Sequence, residues 1–118
     1  MSETPSPRIV SVERRESALI ATINAKMLDD KELKELSTAV DQSANDAGVS
    51  LVIVDLARVQ IVPSLGLGLL LRISQKCTTR NQRFVLAGLS AGVRQTFTIT
   101  KLDRILKLAD NVDAALQG

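Results

Sequence analysis

Several side chains on which enzymes and metalloproteins commonly depend are absent or rare in this chain of 118 residues. It has no histidine, no tryptophan, no tyrosine and a single cysteine. A Ser-His-Asp triad, a Cys-His pair, a Cys-x-x-Cys redox motif and a Cys/His zinc site therefore cannot be assembled within one subunit. These absences exclude most common hydrolase designs, and we expect a non-enzymatic protein without metal or cofactor.

Aromatic residues and excess charge are also scarce, which argues against nucleic acid as a direct ligand. Phe84 and Phe97 are the only aromatic residues, and 15 basic side chains against 13 acidic ones give a formal net charge of +2. Single-stranded bases stack on aromatic side chains, and nucleic-acid surfaces are strongly basic. We therefore expect no direct contact with nucleic acid.

Long apolar runs are missing as well. No run reaches the roughly 18 residues that a membrane span requires, and residues 1–8 lack the basic head and apolar stretch of a secretion signal. The length fits a single domain. We predict a flexible tail over residues 1–8, one domain over residues 9–118, and a cytoplasmic protein that does not insert into a membrane. Cys77, at core spacing from Ile73, is predicted to be a small buried hydrophobe without a functional role.

The apolar pattern predicts alternating strands and helices. Runs rich in β-branched residues predict strands, and apolar residues three or four positions apart predict helices. The strands are predicted at 9–12, 18–23, 51–54, 84–87 and 105–108, and the helices at 30–47, 65–79, from 90 onward and at 112–116. The order ββαβαβαβα indicates an α/β fold whose mixed sheet is mostly parallel after a first hairpin and is covered by helices.

Two local patterns support this assignment. Asp29 and Glu32 form a capping-box pattern at the start of the first helix, and Gly48 is a natural stop after it. The uninterrupted run Leu51–Val54 is typical of a strand that is covered on both faces. We therefore expect that strand to be central in the sheet.

The segment 62–70 places a lone serine between a hydrophobic run and a leucine-rich helix. Pro63 disfavours a helical conformation in Val62 and so separates the two elements. Ser64 can cap the helix by accepting a backbone N–H bond. The same position tolerates a phosphate, because the helix dipole and the unbonded N–H groups of the first turn favour an anion. The residues alone leave open whether Ser64 caps the helix, receives a phosphate, or does both.

Two glycines within the predicted helix need an explanation, because each costs about 1 kcal/mol relative to alanine. Close packing of this helix on the first one is one explanation. The other is a patch without side chains, through which a partner approaches the backbone around Ser64. Gly66 and Gly68 point to different sides of the helix, so each explanation can hold for one of them.

Leucines encircle the same helix, more than a single buried face requires. The helix carries Leu65, Leu67, Leu69, Leu70 and Leu71. Core packing explains some of them. Leu65 and Leu69, beside Ser64, are candidates for an exposed apolar anchor for a partner.

Three cationic side chains recur every four residues along the outer side of this helix: Arg72, Lys76 and Arg80. They fit either a solvated face or a docking stripe for an acidic partner, whose binding would weaken with salt. Asp55, at the end of the central strand, is predicted to be the only carboxylate near Ser64.

The order of elements and several motifs resemble the STAS domain, the family of bacterial anti-sigma factor antagonists and sulphate-transporter tails. The likeness runs from about Ile9 to Leu116 and rests on three segments. They are Val52-Ile53-Val54-Asp55-Leu56 with 62–70, Gly88-Leu89-Ser90 with Val93 and Phe97, and 102–106 with 114–116.

In the antagonist branch the family pattern is Asp-Ser-Ser/Thr-Gly-Leu-Gly, and the serine after the aspartate is phosphorylated by a partner kinase that is also the anti-sigma factor. On this chain that serine is Ser64, and the glycines are Gly66 and Gly68. Pro63 stands at the aspartate position and Leu65 at the second hydroxyl position. Proline offers neither a carboxylate nor a backbone N–H, and it stiffens the turn.

The resemblance implies an anti-sigma factor antagonist that regulates transcription by partner switching. Its expected partners are a kinase-type anti-sigma factor and a phosphatase, and the chain itself is expected to be a monomer or weak dimer. The partner-binding residues are Pro63, Ser64, Leu65, Gly66, Gly68, Leu69 and Arg72, with Ser64 as the phosphorylation site. The alternative is a STAS scaffold that is not phosphorylated, or an accessory subunit of a signalling complex or transporter ATPase.

Overall fold

The computed structural model describes residues 9–44 and 48–117, which form one five-stranded sheet with helices on both faces. The strands are β1 Val10–Arg15, β2 Ala18–Ile23, β3 Leu51–Asp55, β4 Arg83–Ala87 and β5 Lys107–Ala109. Their order in the sheet is the order along the chain. β1 and β2 form an antiparallel hairpin, and β2 to β5 run parallel to one another.

Four helices and one short 3-10 turn connect the strands. They are α1 Asp30–Ala44, α2 Ser64–Thr79, α3 Ala91–Ile99, the 3-10 turn Leu102–Arg104, and α4 Val112–Gln117. Parallel strands need a long crossover connection, usually a helix, and α1, α2 and α3 supply these connections.

Two apolar clusters fill the space on either side of the sheet. The larger one contains Leu36 of α1, Leu70 of α2 and Phe97 of α3, so these three helices share one face. The smaller one packs Ala115 of α4 against the opposite face. Val52, Ile53 and Val54 of β3 are fully buried. The sequence-based prediction of a central strand covered on both faces is therefore confirmed.

The predicted α/β class, the hairpin and the order of strands and helices are confirmed, with shifted boundaries. β1 continues through its charged residues to Arg15. β5 begins at Lys107, whereas the prediction began at Ile105. The 3-10 turn is the reason, because the Leu106 N–H donates to the Leu102 carbonyl at 2.7 Å and keeps 105–106 out of the strand.

The capping box at the start of α1 is confirmed. The Asp29 N–H donates to Glu32 Oε1 at 3.1 Å, and Asp29 Oδ1 accepts from the Lys31 N–H at 3.2 Å. Gly48 has a φ of +94°, a backbone conformation that favours glycine. The last residues of the predicted helix, 45–47, and the predicted tail over 1–8 lie outside the described residues.

Cys77 is fully buried as a free thiol on the inner face of α2, which confirms its predicted location. Burial raises the pKa of this thiol to about 11, because the thiolate loses its hydration. The thiol therefore stays protonated at neutral pH and lacks the character of a nucleophile.

Candidate functional site at the start of helix α2

The loops that follow β2 and β3 pair with each other where α2 begins. Met27 and Ile61 form an isolated parallel bridge, and the Leu28 N–H donates to the Ile61 carbonyl at 2.9 Å. This pairing fixes the segment that leads into Ser64. The carboxyl ends of parallel strands are where open α/β sheets place their binding sites.

Ser64 is the first residue of α2 and does not cap it, so of the roles that the sequence left open, capping is excluded. Pro63 occupies the N-cap position in an extended conformation, with φ −64° and ψ 161° and without a side-chain cap. Its carbonyl accepts the Leu67 N–H at 3.1 Å, the first hydrogen bond of the helix. A residue already inside the helix cannot turn its side chain back onto the first N–H groups in the way an N-cap residue does.

The Ser64 side chain is therefore exposed and available. Among the residues that the structure describes, none forms a hydrogen bond with its hydroxyl. The backbone N–H groups of residues 64–66 precede the first intrahelical bond and point outward at the positive end of the helix dipole. Among the described residues, none accepts a hydrogen bond from these N–H groups, which lie beside the hydroxyl in the first turn.

The two glycines of α2 have opposite surroundings, as their positions on the helix predict. Gly66 is buried, and a Cβ added there would lie 2.8 Å from the Leu28 carbonyl oxygen and 3.3 Å from Leu33 Cδ1. Gly68 is exposed, and a Cβ added there would meet nothing within 4 Å. Close packing explains Gly66, and Gly68 leaves the surface one turn after Ser64 without a side chain.

Ser64, Gly68 and Arg72 follow one another at intervals of four residues, and all three are exposed. Residues at this spacing lie on the same side of a helix, so they form a continuous surface that we call the α2 stripe. Its middle is bare, because Gly68 has no side chain. Arg72 forms no ion pair with any residue in the described parts of the chain.

The leucines of α2 divide between core and surface. Leu67 and Leu70 are buried in the larger core cluster. Leu65 is 64% exposed, although it is a large apolar side chain. Leu69 is half-buried and lines a groove of about 200 Å³ between α1 and α2, together with Arg72.

Two further apolar residues, which the sequence analysis did not single out, belong to the loop pairing that leads into Ser64. Met27 is 41% exposed and Ile61 is 52% exposed. With Ser64 and Leu65 they form what we call the α2 entrance. The sequence signal was the occurrence of large apolar residues in polar loops next to the serine motif, but only the pairing of the two loops brings them together.

Two carboxylates at the start of α1, which the sequence analysis did not single out, line a groove next to Leu65 of the α2 entrance. A groove of about 520 Å³ is lined by Pro63, Leu65 and Gly66 on one side and by Asp29 and Asp30 on the other. Lys31 and Lys34 also line it, and Lys34 pairs with Asp30 at 3.2 Å. Asp55 instead accepts the Ala57 N–H at 3.0 Å and lines a separate cavity on the α4 face of the sheet.

The predicted cationic stripe is divided between two environments. Arg80 Nη2 lies 2.9 Å from Asp41 Oδ1, and Lys76 Nζ lies 3.3 Å from Asp41 Oδ2. Both cations therefore bridge to α1, and only Arg72 of the three remains available for a partner. We call the Asp41, Lys76 and Arg80 cluster the α1–α2 seam.

The seam sets the protonation of its carboxylate. Partial burial acts to raise the pKa of Asp41, but the hydrogen bonds and positive charges of Arg80 and Lys76 outweigh it and lower that pKa overall. Asp41 is therefore ionised throughout the neutral range.

Within residues 9–44 and 48–117, no group of three or more His, Cys, Asp or Glu side chains is placed to hold a metal ion. In the same residues, no helix is both long enough and apolar enough to cross a bilayer.

A comparison of the sequence with models of known protein families identifies the family to which this arrangement of elements belongs. The model of the STAS domain matches residues 10–115, which is most of the chain. The chain belongs to the STAS domain family. The resemblance that the serine motif suggested is thereby confirmed.

Several solved structures superpose closely on this domain despite low sequence identity. An anti-sigma factor antagonist from Mycobacterium paratuberculosis is 21% identical with a TM-score of 0.77, covering 92% of this chain and 90% of its own. The anti-sigma factor antagonist SpoIIAA in its unphosphorylated form is 19% identical with a TM-score of 0.71, covering 89% of this chain and 91% of its own.

A sulfate transporter family protein from Wolinella succinogenes is 19% identical with a TM-score of 0.73, covering 86% of this chain and 83% of its own. At these identities the superpositions establish the STAS fold.

Proposed function

We propose that this STAS domain is a non-catalytic anti-sigma factor antagonist that docks a kinase-type anti-sigma factor through the α2 entrance and the α2 stripe. One observation carries the proposal: at the N-terminus of a 16-residue helix the Ser64 hydroxyl is exposed and has no hydrogen-bond partner in the described part of the chain. The solved antagonists with the same fold support it.

The surface around Ser64 has the properties of a docking site. Leu65 and Ile61 supply apolar side chains that are more than half exposed, and apolar anchors provide much of the binding energy at protein interfaces. Gly68 lets a partner approach the helix backbone closely. The docking residues in this proposal are Pro63, Ser64, Leu65, Gly68, Leu69 and Arg72, and the buried Gly66 supports them by letting α2 pack closely against Leu28.

Phosphorylation of Ser64 would act on the partner and leave the fold intact. A phosphate adds roughly −1.5 to −2 charges at neutral pH. The unbonded N–H groups of residues 64–66 and the helix dipole stabilise such an anion within the domain. At an interface the same charge repels acidic groups and must be desolvated, so the phosphorylated domain releases its partner.

The kinase in this scheme is the anti-sigma factor itself, and a phosphatase restores the free hydroxyl. The unmodified domain captures the anti-sigma factor and releases a sigma factor, so transcription changes without contact between this domain and nucleic acid. The proposed location is the cytoplasm, where sigma factors act.

The test compares binding of wild type, Ser64→Ala and Ser64→Asp to purified kinase-type anti-sigma factors from the same genome, by isothermal titration calorimetry. Ser64→Ala is expected to keep the complex, and Ser64→Asp to lose it, because only aspartate adds charge to the interface. Gln95→Asp is the matched control, since it adds the same charge at an exposed position on α3, outside the proposed docking surface. Equal affinity of the two Ser64 variants would contradict the proposal.

A second candidate function is favoured by Pro63. In this chain the N-cap residue before the serine has neither a carboxylate nor a backbone N–H. A STAS scaffold or accessory subunit of a signalling complex or transporter ATPase needs no phosphate transfer. Incubation with the same kinases and ATP, followed by mass spectrometry, separates the two functions: one added phosphate on Ser64 supports the antagonist, and an unmodified chain that still binds supports the scaffold.

A further inference from the structure

β1 lies at the edge of the sheet, and its outer side is open within the described part of the chain. Five of its six residues are exposed, and its only strand neighbour is β2. The Asn24 N–H donates to the Ile9 carbonyl at 2.7 Å, so this pair is a hydrogen-bonded one. Because such pairs alternate along an antiparallel ladder, the backbone N–H and C=O groups of Val10 and Val12 point away from β2.

A wide groove lies beside the same edge. It has a volume of about 680 Å³ and is lined by Val10 and Val12 of β1 and by Thr38 and Ala39 of α1. Val12 is 43% exposed although it faces α1. An open backbone edge and an apolar groove therefore coincide on one side of the molecule.

We infer that this edge pairs with β1 of a second copy of the same chain, across a two-fold axis at Val12. The outward backbone groups of Val12 in each copy bond to each other, and the two Val12 side chains lie side by side in the groove. The two five-stranded sheets become one ten-stranded sheet.

The charges of β1 select this register. A two-fold axis at Glu13 or Arg14 places like charges directly opposite each other, and an axis at Ser11 pairs only residues 10–12. The axis at Val12 pairs residues 10–14 and sets Ser11 against Glu13. An isologous contact also needs both signs of charge within one patch, and Lys31, Lys34 and Glu35 of the groove provide them.

The two-fold axis reverses the strand direction between the copies. The two Ser64 positions therefore lie at opposite ends of the joined sheet, and both remain accessible. This inference does not depend on the proposed function, because it rests on β1 and α1 alone.

The first test measures the molecular mass by sedimentation equilibrium from micromolar to millimolar concentration. Wild type is expected to shift from monomer to dimer, and Val12→Lys is expected to stay monomeric because the substitution places two like charges opposite each other. Val12→Thr keeps a β-branched side chain and is expected to dimerise, which shows that the strand itself is intact. Ile99→Lys, at a side chain that is 71% exposed and lies on α3, is the control that keeps the dimer.

The second test examines the register. Val12→Cys, oxidised with glutathione disulfide, is expected to give a disulfide-linked dimer, since a hydrogen-bonded antiparallel pair places its Cα atoms about 5.5 Å apart, within the range for a disulfide. Val10→Cys is expected to crosslink far less, because Arg14 of the second copy lies opposite it. The native Cys77 does not interfere, because it is fully buried. A wild type that stays monomeric at every concentration, a Val12→Lys variant that still dimerises, or equal crosslinking of both cysteine variants would overturn the inference.

Discussion

Gly66 and Gly68 show how strongly the cost of one residue type depends on what surrounds it. The carbonyl oxygen of Leu28 lies where a side chain at position 66 would begin, and that carbonyl belongs to the loop pairing that positions Ser64. Position 68 faces solvent. Glycine is required at the first position by close backbone contact, and at the second it only lowers helix stability.

The two positions give a matched prediction. Gly66→Ala is expected to lower the free energy of unfolding by about 1–3 kcal/mol, as overpacking commonly does. Gly68→Ala is expected to raise it by up to about 1 kcal/mol, because alanine is the better helix former. Urea denaturation of both variants measures the difference. Equal effects of the two substitutions would show that the packing against Leu28 does not constrain the helix.

At this scale the sequence indicated that the two glycines could have different explanations, but it left the role of Ser64 open. Serine is a common N-cap residue, and that preference made Ser64 a candidate for the cap position. Pro63 takes that position because its fixed φ suits the extended N-cap backbone, which moves the helix start by one residue. The preferences of residue types for helix positions cannot resolve a one-residue shift of the helix start. Here that shift leaves the Ser64 hydroxyl without a capping hydrogen bond.

At the scale of elements, the α1–α2 seam joins two helices whose polar residues are 35 and 39 positions apart in sequence. Asp41 is the only partner of both cations among the described salt bridges. Its lowered pKa means that the folded state favours the ionised form. This stabilisation is present above the ordinary carboxyl pKa and is lost as the pH falls through the lower pKa of the folded state.

Replacing this carboxylate is expected to have a small and pH-dependent effect. Asp41→Asn is expected to lower stability near neutral pH by about 1 kcal/mol or less, because the pair is about one-third exposed. The difference from wild type should shrink below about pH 4, where the carboxylate of the unfolded chain is protonated. Thermal unfolding followed by circular dichroism between acidic and neutral pH measures it.

Asp110→Asn is the control for this prediction. Asp110 pairs with Arg94 at 3.3 Å, but its side chain is 90% exposed. Its removal is therefore expected to change stability less than the removal of Asp41 near neutral pH. A larger loss in Asp110→Asn would contradict the role assigned to the seam.

Local patterns predicted most elements of this fold, since hydrophobic periodicity and the capping box depend on neighbouring residues only. The strand at 105–108 was misplaced because Ile105 is apolar but 64% exposed, whereas the hydrogen bonds of the 3-10 turn decide where pairing begins. The seam could not be predicted, because its ion pairs join two helices through tertiary packing.

At the scale of the whole molecule, the candidate site combines residues from two separate parts of the chain. Ser64 lies on α2, whereas Met27 and Asp29 lie in the loop between β2 and α1. The serine motif alone predicted the α2 residues. The contributions of Met27 and Asp29 arise from the parallel order of the strands, which brings the loops after β2 and β3 together, and no local pattern encodes that contact.

The available cation of the α2 stripe gives a prediction about docking. Arg72→Ala is expected to weaken binding of the anti-sigma partner, mainly through a slower association rate, and to make that rate less dependent on salt. Surface plasmon resonance at several salt concentrations measures both effects. Arg104→Ala, at an exposed position after α3, is the control and is expected to leave the rate unchanged. Identical salt dependence of the wild type and Arg72→Ala would remove Arg72 from the docking surface.

The buried thiol of Cys77 in α2 can report on the opening of this helix in the native domain. An alkylating reagent reaches Cys77 only when the helix separates from the sheet, because the side chain has no surface in the closed state. The rate of labelling therefore records how often this helix opens. Ser64 begins the same helix, near whose other end Cys77 lies. The rate of Cys77 labelling with and without a protein bound at Ser64 can therefore show whether that protein keeps the helix closed.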